Sequence, residues 1–176
     1  MRSLPPSTVS LGITPGGEAL PDDAGRSPAS WGTTSYFGVN SFALTDASQH
    51  SHFVRYRFVP EAGNHYLTAA DVAKRSPDYL AGEIVERVAR GPIRFGWYAQ
   101  MAAAVDVIED PSIAWPESRR LVKLGVVTID RVGPQTALAD KSLAFLPGST
   151  PAGIAIADPM LTIRNAAYPL SFHERQ

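Results

Sequence analysis

The sequence predicts an α+β fold, and three observations carry that prediction. Its ordered segments run strand, strand, helix pair, strand, strand, helix, without the strict strand–helix alternation of a parallel sheet. The strand-like runs are aromatic or β-branched. In Phe53–Val59, Phe53, Arg55, Arg57 and Val59 fall on one face and Val54, Tyr56 and Phe58 on the other. The helical segments carry apolar stripes at helical spacing, with start and stop signals. A chain of 176 residues suffices for one domain with a core.

Composition narrows the class. Hydrophobic content of 44% with 19% charged residues describes a globular chain rather than a disordered one. A net charge of −1 gives no electrostatic case for nucleic acid or an anionic membrane as partner. No cysteine is present, which excludes disulfides, thiolate catalysis, iron–sulfur ligation and cysteinyl zinc sites, and leaves the compartment open. No apolar run reaches the ~18 residues of a membrane span. Leu4 to Ile13 is broken by prolines, serine and threonine and makes a poor signal-peptide core. Residues 1–30, rich in Pro, Gly, Ser and Asp, are expected to form a flexible leader ahead of a domain at 31–176.

Ser35–Leu44 and Phe53–Val59 are the first two strands. The polar Thr45–Ser51 between them suits a hairpin, and its His50-x-His52 pair suits a solvated turn, since no third ligand is near in sequence. Thr68-x-x-Asp71 resembles a capping box and opens a short helix. Ser76-Pro77 starts a second helix, with Leu80, Ile84, Val85 and Val88 as its apolar stripe. Its i,i+4 pairs Glu83–Arg87 and Glu86–Arg90 are expected on the wet side, and Gly91-Pro92 stops it. Ile93–Val105 and Leu121–Val132 are two more strands, joined by a loop at Asp106–Pro116. Gly133–Ile156 is mostly irregular, with a short helical piece at Ala137–Phe145.

Asp158-Pro159 opens the last helix, because proline suits the first helical position and an acidic residue the amino end. Met160, Ile163, Arg164, Ala167 and Tyr168 share one face, which places Arg164 one turn below Tyr168. A guanidinium bonded to a phenol oxygen favours the phenolate. Arg-x-x-x-Tyr is short and common, however, and alone also fits an ordinary amphipathic helix with a half-buried tyrosine. Pro169 is expected to kink or end the helix.

Around that pair stand Ala144-Phe-Leu-Pro147, Pro151-Ala-Gly-Ile154 and Asp158-Pro-Met-Leu161, then Arg164-x-x-x-Tyr168-Pro169. Together they resemble the proximal haem segment of the haem catalases. Ser35-Tyr-Phe-Gly-Val-Asn-Ser-Phe42, Val54-Arg-Tyr-Arg-Phe-Val-Pro60 and Trp115-Pro116 extend the resemblance, in order, over most of the chain. It is nearest to the small branch of that superfamily, the catalase-related peroxidases. The implied fold is an antiparallel β-barrel of the haem catalase type, here with about half of its strands, and flanking helices. The chain looks like the carboxy-terminal half of such a protein behind an unrelated leader.

The resemblance implies haem as cofactor and assigns roles. Tyr168 matches the axial iron ligand, a hard oxygen donor as in catalases. Arg164 matches the arginine bonded to that phenolate. Arg175 matches an arginine paired with a haem propionate, and as the penultimate residue it equally fits a frayed end. Met160 and Phe145 match haem-packing positions and equally fit plain core. Asn40 stands where larger catalases have a histidine and the small branch an asparagine; Phe172 replaces another of their histidines. The family's distal histidine and asparagine lie in segments before the block at Ser35, and here no histidine precedes His50. The family places the segments of His50, His52 and His65 elsewhere. The implied function is a haem-dependent peroxidase acting on hydrogen peroxide or organic peroxides with a small-molecule electron donor, in a possible homo-oligomer. The alternatives are a non-catalytic haem-binding or structural remnant, and a relative that rearranges lipid hydroperoxides.

Overall fold

The computed structural model describes residues 26–133 and 136–176. The expected leader lies outside the described residues as far as residue 25. Its last residues are tied into the domain: Leu67 N–H donates to Ser27 O and Ala29 N–H to His65 O, each at 2.8 Å.

After a 3₁₀ turn at Trp31–Thr33 come β1 (Tyr36–Phe37), β2 (Phe42–Thr45), β3 (Ser51–Pro60), α1 (Ala69–Val72) and α2 (Tyr79–Arg90). Then follow β4 (Ile93–Met101), β5 (Leu121–Ile129), α3 (Thr136–Ser142), β6 (Ile154–Ile156) and α4 (Pro159–Glu174). The strands form one antiparallel sheet in the order β5-β4-β3-β2-β6, with β1 also on β3. The fold is α+β. The sheet is open, with β5 and β6 at its two ends among the described residues, and does not close into a barrel.

The period-two reading of β3 holds. Val54, Tyr56 and Phe58 share a face with Phe42, Trp97, Phe95 and Tyr36, and their rings pack in series with centroids 5.3–6.2 Å apart. Helix α2 covers one end of this face, where Ile84 and Val88 meet Ile93, Phe95 and Phe58. The opposite face carries Arg55, Arg57 and Gln100. Arg55 is buried, and its guanidinium donates to Ser41 Oγ (3.2 Å), Ile113 O (2.7 Å) and Asp110 O (3.0 Å). It also lies 4.3 Å from the Trp115 ring centroid, and so pins the β4–β5 connection to the sheet. Burial lowers its pKa, while Asp158, Asp106 and Asp110 oppose that shift.

Local signals mostly behave as the sequence says. Thr68 Oγ1 caps α1 by accepting from Asp71 N–H at 3.2 Å. Asp158 caps α4 by accepting from Met160 N–H at 2.8 Å, with Pro159 in its first turn. Two expectations change. The Glu83–Arg87 pair forms, at 2.7 Å, but half-buried rather than on a wet face. The 3₁₀ turn packs over it: a Cβ on Gly32 would lie 3.0 Å from Arg87 Cδ. Of the two outcomes expected at Pro169, a kink or an end, the end does not occur: α4 continues to Glu174. Proline removes its own N–H bond and crowds the carbonyl four residues before it, but the residues after it keep their own N–H groups for the helix. Among the described residues no helix is long and apolar enough to cross a membrane.

Candidate active site

Helix α4 delivers two of the expected residues directly. Arg164 Nε donates to Tyr168 Oη at 2.6 Å, with the guanidinium carbon 5.1 Å from the ring centroid. The same guanidinium reaches across the molecule. Its Nη1 donates to Asn40 Oδ1 at 2.8 Å, and Asn40 Nδ2 donates to Asp158 Oδ2 at 2.7 Å. Asp158 is fully buried, and its other oxygen caps the helix. A continuous polar chain therefore runs from the amino end of α4, through Asn40, back to Arg164 and Tyr168.

Asn40 reaches this place because the first strand is interrupted. Phe37 pairs with Arg57, and pairing resumes only at Phe42 with Val54. Residues 38–41 thus oppose only Arg55 and Tyr56, an insertion larger than the two-against-one of a simple bulge, and leave the ladder. Gly38 N–H donates to Tyr56 O at 2.7 Å, and a Cβ there would stand 3.2 Å from that oxygen. Asn40 and Ser41 are redirected as a result, the first to α4 and the second to Arg55.

Beside Tyr168 lies a cleft of about 320 Å³ lined by Ala144, Phe145, Arg164, Tyr168, Ser171 and Arg175. Four of the five residues singled out from sequence meet here. Arg175 is held by Ser171 Oγ and Leu143 O, each at 3.2 Å. Phe145 presents an exposed ring, 71% accessible. Met160, also exposed, does not line the cleft. His50 lies in the exposed β2–β3 turn and His52 at the start of β3, both beside Asp46, His65 is bonded to Ala62 O, and among the described residues no histidine lines the cleft. Among the described residues no group of three or more His, Asp or Glu is placed to hold a metal ion. Sequence reasoning missed Ser171, although it stands at i+3 from Tyr168 and i+7 from Arg164. It also missed the second role of Asp158, which no spacing announces.

The antiparallel sheet followed by one long helix is a fold shared with solved catalases. The structure matches a fungal catalase with a TM-score of 0.73 at 20% identity, covering 84% of this chain and 32% of that one. It matches catalase A from Saccharomyces cerevisiae with the same TM-score and identity, covering 84% and 33%. The sequence supplies the second step. The family model described as Catalase matches residues 19–176, and the chain belongs to that family. It is 37% identical over 150 residues to a catalase-related peroxidase from Mycolicibacterium paratuberculosis, covering 85% of this chain and 48% of the relative. A catalase-related peroxidase from Synechococcus elongatus is 31% identical over 149 residues, covering 84% and 44%. The chain thus spans just under half the length of these relatives.

Proposed function

We propose that the cleft beside Tyr168 binds haem and that the chain provides the proximal side of a peroxidase acting on hydrogen peroxide or organic peroxides with a small-molecule electron donor. The observation that carries this reading is the 2.6 Å bond from Arg164 to Tyr168 at the wall of an accessible cleft. The residues fit the group. Tyr168 offers one hard oxygen donor, Arg175 a guanidinium suited to a propionate, and Phe145 an aromatic wall. When bound, haem supplies the iron at which a peroxide is reduced. Arg164 holds its positive guanidinium against the Tyr168 oxygen and fixes the direction of that oxygen. Asn40 and Asp158 hold Arg164 in that orientation.

A second reading has its own support. Among the described residues no histidine lines the cleft. Splitting a peroxide uses an acid–base group within hydrogen-bond reach. A haem-binding protein without turnover is therefore the alternative. Titration of the purified chain with haemin tests both. The expected outcome is a high-spin ferric spectrum that Tyr168→Phe abolishes, and peroxide consumption per haem lower than in a full-length relative by ~10² to 10⁴. An unchanged spectrum in Tyr168→Phe removes the ligand assignment. Turnover at the rate of full-length relatives removes the second reading.

A further inference from the structure

The cleft wall facing α4 belongs to no helix or strand. It is the segment 143–150 between α3 and β6, which carries Ala144 and Phe145. Two side chains of α4 hold this segment. Arg175 Nη2 donates to Leu143 O at 3.2 Å, and Asn165 Oδ1 accepts from Gly148 N–H at 2.8 Å. The second contact leaves no spare room. A Cβ built on Gly148 would overlap Asn165 Nδ2 and lie 2.9 Å from Ile156 Cδ1, so only glycine allows this approach. Gly148 sits inside a turn closed by Ser149 N–H on Leu146 O, at 3.0 Å, and that turn begins at the residue after Phe145.

Asn165 follows Arg164 directly in α4 but is not itself a lining residue. Asparagine is a mediocre helix former, because its side chain competes for nearby backbone groups. Here its oxygen bonds instead to a backbone N–H 17 residues away. We infer that Asn165 is a positioning residue: through Gly148 it fixes the Phe145 wall relative to Arg164 and Tyr168, and so sets the width of the cleft. The inference rests on the haem reading above for its ligand.

The test compares Asn165→Ala, Asn165→Asp and Gly148→Ala with the parent chain. Hydrogen exchange of the apo chain reads the wall, and the rate of haemin release reads its consequence. In Asn165→Ala, exchange at the Gly148 amide is expected to rise about tenfold, the effect of one lost hydrogen bond, while β3 and β4 keep their rates. Asn165→Asp keeps an accepting oxygen and should restore slow exchange. Gly148→Ala should reproduce Asn165→Ala, and the double variant should add little, because both break one contact. Haemin release should quicken in Asn165→Ala with the tyrosine-dependent spectrum retained. Unchanged exchange at Gly148 in Asn165→Ala, or unchanged haemin release, would overturn the inference. Failure of the haem reading looks different: the parent chain then gives no spectrum that depends on Tyr168. The exchange comparison still decides whether Asn165 holds the wall.

Discussion

A single side-chain amide joins the two ends of the domain. Asn40 gives its N–H to Asp158 at 2.7 Å and takes one from Arg164 at 2.8 Å. Asp158 is fully buried, so each of its oxygens needs a donor. One has the Met160 N–H and the other has Asn40. Asn40→Ala therefore leaves one carboxylate oxygen and one guanidinium nitrogen short of a partner. The expected cost is about 1–3 kcal/mol in urea unfolding, with α4 losing protection from hydrogen exchange before the sheet does. Equal stability of the variant would show that Asn40 is dispensable to the chain of bonds. Helical spacing alone made half of this arrangement legible: Arg164 and Tyr168 are four apart and do meet. The other half was not legible from spacing, because Asn40 stands 118 and 124 residues from its two partners. Only the resemblance to a family singled it out.

At the scale of elements, side chains rather than propensity decide where strands end. Apolar content suggests a strand from Ile93 to Val105, yet β4 stops at Met101. Asp106 Oδ2 takes the Ala103 N–H at 2.7 Å, which turns the backbone out of the sheet. Arg119 locks that carboxylate with two bonds of 2.8 Å, closing the β4–β5 connection. The Arg119 bond holds the Asp106 carboxyl below its ordinary value of 3.8, against the opposing effect of burial. A carboxyl depressed in the folded state adds stability above the unfolded value, and that stability is lost as pH falls through the folded one. Asp106→Asn should therefore be less stable than the parent at pH 7 by about 1–3 kcal/mol. The gap should narrow below about pH 4, where the parent loses its advantage too. Urea midpoints across that range check this, and a gap independent of pH would rule out the ion pair as its cause. The same kind of long-range contact explains other misplaced boundaries. Ser35–Leu44 reads as one strand, but residues 38–41 leave the ladder for α4 and Arg55. The three-residue β6 escaped notice because it is too short to show a period, and Gly153, at a φ of 86°, starts it abruptly.

The whole molecule is an open sheet, and its ends have different fates. At one end the short β6 pairs with β2 and leads into α4. At the other, β5 runs nine residues with its outer edge unpaired among the described residues. Leu121, Leu124, Val126, Val127 and Ile129 are each 36–40% exposed, and Lys123 is the strand's only charge. A long apolar edge of this kind is a template for another strand. A second copy suits it. If two β5 strands pair antiparallel about Gly125, Lys123 faces Val127 rather than its own copy, so no like charges stand opposite each other. The expected outcome is self-association that rises with concentration, measured by sedimentation velocity. Val126→Lys should shift it to monomer, because a charge on an edge strand resists pairing. The cleft lies with α4 at the far end of the chain, so haemin titration of the Val126→Lys monomer should match that of the parent. A parent chain that stays monomeric at high concentration and unfolds in one cooperative step would mean that the β5 edge is tolerated as it stands. Association that survives Val126→Lys would move the contact from β5 to another apolar surface.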